Sequence, residues 1–138
     1  MKAIFESRDR ADAATEKLKV YAQPQRLMIL SYLLGGESSV SEIDMATGIG
    51  QPALSQQLAA LRRADIVTTR REGKQICYDL ADDAARLCVR TMEALLTDQP
   101  DPQRVMKAAA PLGTPEEKRP TGSGSAGFAR ILWDRNSP

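Results

Sequence analysis

Residues 39–80, SVSEIDMATGIGQPALSQQLAALRRADIVTTRREGKQICYDL, decide the fold. Ser39 is followed at the third position by Glu42, the reciprocal pattern in which the serine oxygen accepts from the Glu42 amide while the Glu42 carboxylate reaches back to the Ser39 amide. A short helix therefore starts at Ser39. Gly48-Ile49-Gly50 ends it and turns the chain, and Gln51 to Arg63 reads as a second helix with Pro52 in its first turn, where a missing N–H costs little. Leu54, Leu58 and Leu61 fall on one stripe of that helix. Ile66 to Arg71 and Gln75 to Leu80 then read as two strands around Glu72-Gly73-Lys74, with Ile76, Tyr78 and Leu80 alternating onto one face.

Two short helices at a glycine turn, followed by a basic hairpin, are the layout of a winged helix-turn-helix, a mainly α fold with a small β-hairpin. The face of the second helix opposite its leucines carries Gln51, Ser55, Gln56 and Ala59. These are short, uncharged groups that can bond base edges without bringing a carboxylate near phosphate. Net charge over the 138 residues is only +1, yet the stretch from Arg62 to Lys74 holds Arg62, Arg63, Arg70, Arg71 and Lys74 against Asp65 and Glu72. Charge so concentrated beside a helix-turn-helix points to a nucleic-acid backbone.

Outward from this segment, Asp9 to Ala22 reads as a helix with the apolar stripe Ala11, Ala14, Leu18, Tyr21 and Ala22. Pro24 to Leu34 is expected to be the central core helix, closed by Gly35-Gly36. A last helix, about Asp82 to Asp98, begins with aspartates suited to the N-terminal dipole and carries Ala84/Ala85, Cys88, Met92 and Leu95. Residues 9–98 thus form the expected domain. From Gln99 the composition turns to proline, glycine and serine, and residues 99–138 are expected to be disordered, with Phe128 to Trp133 as an apolar island in them. The apolar stripes of the first and last helices lack cover within one protomer. A two-fold homodimer supplies it and presents two recognition helices about one DNA turn apart.

Hydrophobic content of 42% with 4% aromatic fits a small helical core of Leu, Ala, Ile and Val. No apolar run has the length of a membrane span, and the first residues lack the apolar stretch of a signal peptide, so a cytoplasmic protein without membrane partners is expected. Catalysis is not expected either. The chain has no histidine, no Cys-x-x-Cys, no phosphate-cradling glycine loop and no nucleophile elbow, and no cofactor is implied.

On Pro24 to Leu30, Gly50 to Leu58 and Val67 to Gln75 with Tyr78, the chain resembles the ArsR family of bacterial winged-helix repressors over about Ala14 to Leu96. The resemblance implies a helical homodimer on a partly palindromic double-stranded operator, released when a signal arrives. It maps the recognition helix onto Gln51 to Arg63 and the wing onto Arg70 to Lys74. The candidate DNA-binding residues are then Gln51, Pro52, Ala53, Ser55, Gln56, Gln57, Arg62, Arg70, Arg71 and Lys74. Metal-sensing members resembling the arsenic or cadmium type carry a Cys-Val-Cys pair where this chain has Ser39-Val40-Ser41, and zinc-sensing members use histidines it lacks, so no metal is expected. The wording is nearest to sulfide-, persulfide- and redox-responsive members, whose cysteine positions hold Ser31 and about Thr97 here.

Cys77 and Cys88 remain as candidate redox thiols. Strand alternation points Cys77 away from the face of Ile76 and Tyr78 and makes it the better candidate for an accessible thiol. Cys88 falls on the apolar stripe of the last helix, where a small buried residue in a dimer seam is expected. A disulfide between them requires their Cα atoms to approach within about 7 Å. Two other readings stay open at this level: a winged-helix platform that binds protein, and a constitutive DNA binder without inducer.

Overall fold

The central helix contributes three fully buried side chains, and the rest of the described fold packs around it. In the computed structural model, which describes residues 2–109, that helix is α2 (Pro24–Leu33), with Ile29, Leu30 and Leu33 completely buried. It starts where Pro24 pre-sets the backbone and the Gln23 side chain accepts from the Arg26 amide at 2.9 Å. Before it lies α1 (Arg8–Tyr21), and after it come β1 (Ser38–Ser39), α3 (Val40–Thr47), α4 (Ala53–Arg63), β2 (Val67–Glu72), β3 (Gln75–Leu80), α5 (Asp83–Leu95) and α6 (Pro102–Ala109).

The two short helices form for the reasons their residues give. Ser39 Oγ accepts from the Glu42 amide at 3.2 Å while Glu42 accepts from the Ser39 amide at 2.9 Å, completing the capping box of α3. Ile43 from α3 and Leu54, Leu58 and Leu61 from α4 are buried against α2 in a single core. Each such side chain contributes about 1.5–3 kcal/mol relative to an exposed one.

The sheet has three strands, in the antiparallel order β1-β3-β2. β2 and β3 pair from Val67↔Leu80 to Glu72↔Gln75, leaving Gly73 and Lys74 as a two-residue turn. Gly73 takes φ +63° there, which glycine adopts without steric cost. The third strand is an addition to the expected hairpin: Ser38 pairs with Tyr78 and Ser39 with Cys77. A two-residue strand of serines has no hydrophobic alternation by which to recognise it.

That third strand corrects the reading of the cysteines. Glu37, which leads into β1, and Glu72 bring their carboxylates close to the Cys77 sulfur, and Cys77 is only 6% exposed while Cys88 is exposed. The better-placed thiol is therefore Cys88, and both cysteines are free. On α5, capped by Asp82, the inward residues are Ala85, Val89 and Ala94; of the expected stripe Ala85 is buried, whereas Ala84 and Cys88 are exposed. Met92 packs partly against the core.

Residues 102–109 also differ from expectation. Helix α6 forms there and packs on α5, introduced by a hydrogen bond of 2.8 Å from the Asp101 amide to the Ala94 carbonyl. The Phe128 to Trp133 island lies outside the described residues. Within the protomer α1 buries only Tyr21, and Leu18, Leu95 and Leu96 stay exposed at 58%, 36% and 76%.

Candidate nucleic-acid interface

The turn between α3 and α4 is held by its own backbone and one carboxylate. Gly48 takes the left-handed conformation with φ +68° and donates to the Asp44 carbonyl at 2.8 Å. The Gly50 amide then donates to the Asp44 carboxylate at 2.9 Å, and the Leu54 amide to the Gly50 carbonyl at 2.8 Å. Asp44 thereby ties the end of α3 to the entry of α4.

At the start of α4 the Gln51 amide oxygen accepts from the Ser55 amide at 3.1 Å and from the Ser55 hydroxyl at 2.7 Å. Gln51 thus does the work of a cap, since Pro52 supplies no side-chain acceptor. Gln51, Pro52, Ser55 and Gln56 are exposed, and Ala53 is half-buried. Gln57 points elsewhere. It is half-buried, accepts from Arg26 Nε at 2.8 Å and donates to Gln25 at 3.4 Å, bracing α4 on α2. Arg26 donates as well to the Val20 carbonyl at 3.3 Å.

Arg62 and Arg63 are exposed in the last turn of α4, where cations also oppose the helix dipole. Together with Ser55, Ala59 and Tyr78 they line a cleft of about 470 Å³ between α4 and the sheet. Asp65, on the same cleft, holds φ +59° where the chain leaves α4 for β2.

The wing divides its cations. Arg71 and Lys74 are exposed near the tip. Arg70 is committed to carboxylates: its Nη2 lies 2.6 Å from Glu37 and 2.8 Å from Glu72. These bonds hold the Glu37 carboxyl below the usual carboxylate range and push the Arg70 pKa up. Glu37 precedes β1, so Arg70 clamps the wing to the segment that leads into α3. The sequence did not mark this partner, because the two residues are 33 positions apart.

Cys77 lies beside the clamp. Burial first, then Glu37 and Glu72, push its thiol pKa up and keep it protonated at neutral pH. The ligand atoms of Glu37, Glu72 and Cys77 lie within 4.8 Å of one another. The Arg70 guanidinium already engages both carboxylates, and a protonated thiol is a poor ligand, so the set behaves as an ion-paired brace rather than a soft-metal site. Away from the wing, burial first and then the Cys88 thiol push the Tyr21 hydroxyl up to about 12.

This arrangement, a capped turn, a second helix with exposed short polar groups, and a basic two-stranded wing, defines a winged helix-turn-helix regulator. A family model described as bacterial regulatory protein, ArsR family, matches residues 23–69. A biofilm growth-associated repressor of Agrobacterium fabrum is 48% identical over 86 residues, 62% of this chain and 74% of that protein. The crystal structure of the transcriptional repressor BigR from Xylella fastidiosa aligns with a TM-score of 0.64 at 40% identity, covering 71% of this chain and 100% of that one. The homodimeric winged helix-turn-helix DNA-binding domain of a possible ArsR-family regulator from Mycobacterium bovis aligns at 0.55 and 31% identity, covering 63% and 84%. The chain belongs to the ArsR family, and it is a DNA-binding transcriptional repressor of that type. Its relatives are regulators of transcription and not enzymes. Among the described residues no helix is long and apolar enough to cross a membrane.

Proposed function

We propose that the repressor binds a partly palindromic duplex as a homodimer, with α4 of each protomer in the major groove and each wing on the flanking backbone. Gln56 is the principal base reader. It is the one glutamine of α4 that takes part in none of the side-chain hydrogen bonds among the described residues, and it is exposed on the face opposite the buried leucines. Gln51 and Ser55 face the same groove as a preformed pair and offer their remaining lone pairs and amide hydrogens. Pro52 and Ala53 make apolar contacts at the helix entry. Gln57 acts indirectly, by fixing α4 on α2. Arg62, Arg71 and Lys74 neutralise phosphates, whereas Arg70 stiffens the wing from behind.

The observation that carries this reading is the combination on one helix of exposed, carboxylate-free polar groups at the N-terminus and free arginines at the C-terminus, next to a hairpin with exposed cations. Exposed Leu18 and Leu95 support a dimer through α1 and α5, and the Mycobacterium bovis relative is homodimeric. A thiol signal, where one operates, works through Cys88, because Cys77 is buried and held protonated. Selecting bound sequences from a pool of random duplexes tests the whole. A two-fold symmetric motif with half-sites about one helical turn apart is expected. An asymmetric motif, or retention that does not fall steeply with salt, would overturn the proposal.

A further inference from the structure

A second concavity lies away from the DNA-facing side, between α2, α3 and the C-terminal end of α5, and its volume is about 500 Å³. That is within the range of small-molecule sites. Its walls are mostly apolar, with Leu27, Met28, Val89, Met92 and Leu96 prominent among them, and Tyr32 adds an aromatic ring. Two methionines in such a wall adapt to ligands of different outline and make favourable contacts with aromatic rings.

One group breaks the apolar character. Glu93 is half-buried in the wall and accepts a hydrogen bond from the Ser31 hydroxyl across the gap between α5 and α2. Among the described residues it makes no ion pair: Arg90 and Arg104 border a separate groove that it also touches, yet neither pairs with it. Glu93 thus presents to an apolar hollow a carboxylate that is hydrogen-bonded to Ser31 and has no ion-pair partner among the described residues.

We propose that this cavity is an effector site for a small apolar molecule, aromatic by preference, that carries one protonated amine. The ammonium pairs with Glu93 while the ring fills the hollow between Met28, Tyr32 and Met92. The site touches Ala46 and Thr47 at the end of α3 and Met92 to Thr97 on and beyond α5. A ligand there bridges the helix-turn-helix to the helix expected to carry the dimer, so its binding free energy is shared with the operator. Charge complementarity at Glu93 favours such a molecule over an apolar segment of a second chain.

The test uses the full chain with phenethylamine and its neutral counterpart, phenethyl alcohol. Two-dimensional NMR is expected to show saturable shifts at residues 27–32 and 89–97 with the amine, and at least tenfold weaker binding of the alcohol. Glu93→Gln keeps a hydrogen-bond acceptor for Ser31 and is expected to remove the preference for the amine. Thr97→Trp, at an exposed edge of the cavity, is expected to block both probes without disturbing the core. In anisotropy titrations the amine is expected to change the operator Kd at least threefold for the wild type and not for Glu93→Gln. Equal binding of the two probes, unchanged amine affinity in Glu93→Gln, no saturable shifts, or binding that leaves the operator Kd unmoved would each overturn the proposal. So would a change of oligomeric state in Thr97→Trp, which would show a second copy covering the cavity. The NMR measurement needs no DNA, so failure of the duplex-binding reading is distinguishable from failure of this one.

Discussion

The neighbouring glutamines of α4 are expected to fail in opposite ways when truncated. Gln56 is exposed and Gln57 is half-buried on Arg26 at 2.8 Å, so Gln56→Ala removes a recognition group while Gln57→Ala removes a support. A good bidentate contact to a base is worth about 1–3 kcal/mol, roughly a 5- to 150-fold change in Kd for one half-site. In a two-fold complex both half-sites lose it, about 2–6 kcal/mol in all. Binding to random duplex is expected to change little, because phosphate contacts carry that affinity. Gln57→Ala instead leaves the Arg26 guanidinium with the Val20 carbonyl alone. Partial exposure softens the loss of a hydrogen bond to a charged group, so about 1–2 kcal/mol of folding stability is expected to go. Fluorescence anisotropy with cognate and random duplexes at fixed salt, together with thermal melting, separates the two outcomes. Equal loss on both DNAs for Gln56→Ala, or selective loss of cognate binding in a fully stable Gln57→Ala, would refute the assignment.

Neutralising Arg71 and Lys74 is expected to weaken binding to every sequence and to flatten the log–log salt dependence by about 2 per protomer, which an unchanged slope would contradict. Leu95→Asp is a cleaner probe of the proposed dimer than Met92→Asp, because Leu95 is 36% exposed and Met92 packs partly into its own core; sedimentation is expected to show monomer with the protomer fold intact. Under native conditions iodoacetamide is expected to modify Cys88 promptly in the monomeric Leu95→Asp variant and Cys77 only on unfolding, as mass spectrometry of digests would reveal. The Tyr21 hydroxyl, raised from 10.0 to about 12, binds its proton more tightly folded than unfolded. Its contribution to stability is therefore complete below pH 10 and lost as the pH rises through about 12, which denaturant midpoints of wild type and Tyr21→Phe would show as a shallower alkaline loss in the variant.

Local signals in the sequence were enough for the elements that build the DNA-binding half. Ser39 with Glu42, the Gly48 and Gly50 turn, the leucine stripe of α4 and the Gly73 hairpin each state their structure within a few residues. What escaped depends on partners distant along the chain. Glu37, far from both in sequence, stands beside the Cys77 thiol and decides the fate of Arg70. Period-two alternation assigns a strand residue to a face but does not say whether that face is covered. Cys88 falls on the expected stripe of α5, yet the inward row runs from Ala85 through Val89 and leaves Cys88 outside. Helix α6 escapes the sequence because Pro102 and its neighbours along the chain carry the composition of a linker. Among the candidate site residues, types alone could not separate Gln56 from Gln57, because both are glutamines on adjacent positions of one helix.

Ser39 belongs to two structures at once. It is the strand partner of Cys77 and the residue whose oxygen begins α3. A displacement of the wing therefore reaches the helix-turn-helix through Ser39, with the Ser38–Tyr78 pairing and the Arg70–Glu37 clamp as further ties. The hairpin and α4 act as one rigid gauge laid against the duplex: where the wing meets the backbone sets how far α4 enters the groove. Loosening that gauge, as Glu37→Gln would, is expected to erode discrimination between correct and incorrect operators more than it erodes adhesion to DNA as such. A repressor made imprecise in this way would stay on the chromosome and spend its time at the wrong addresses.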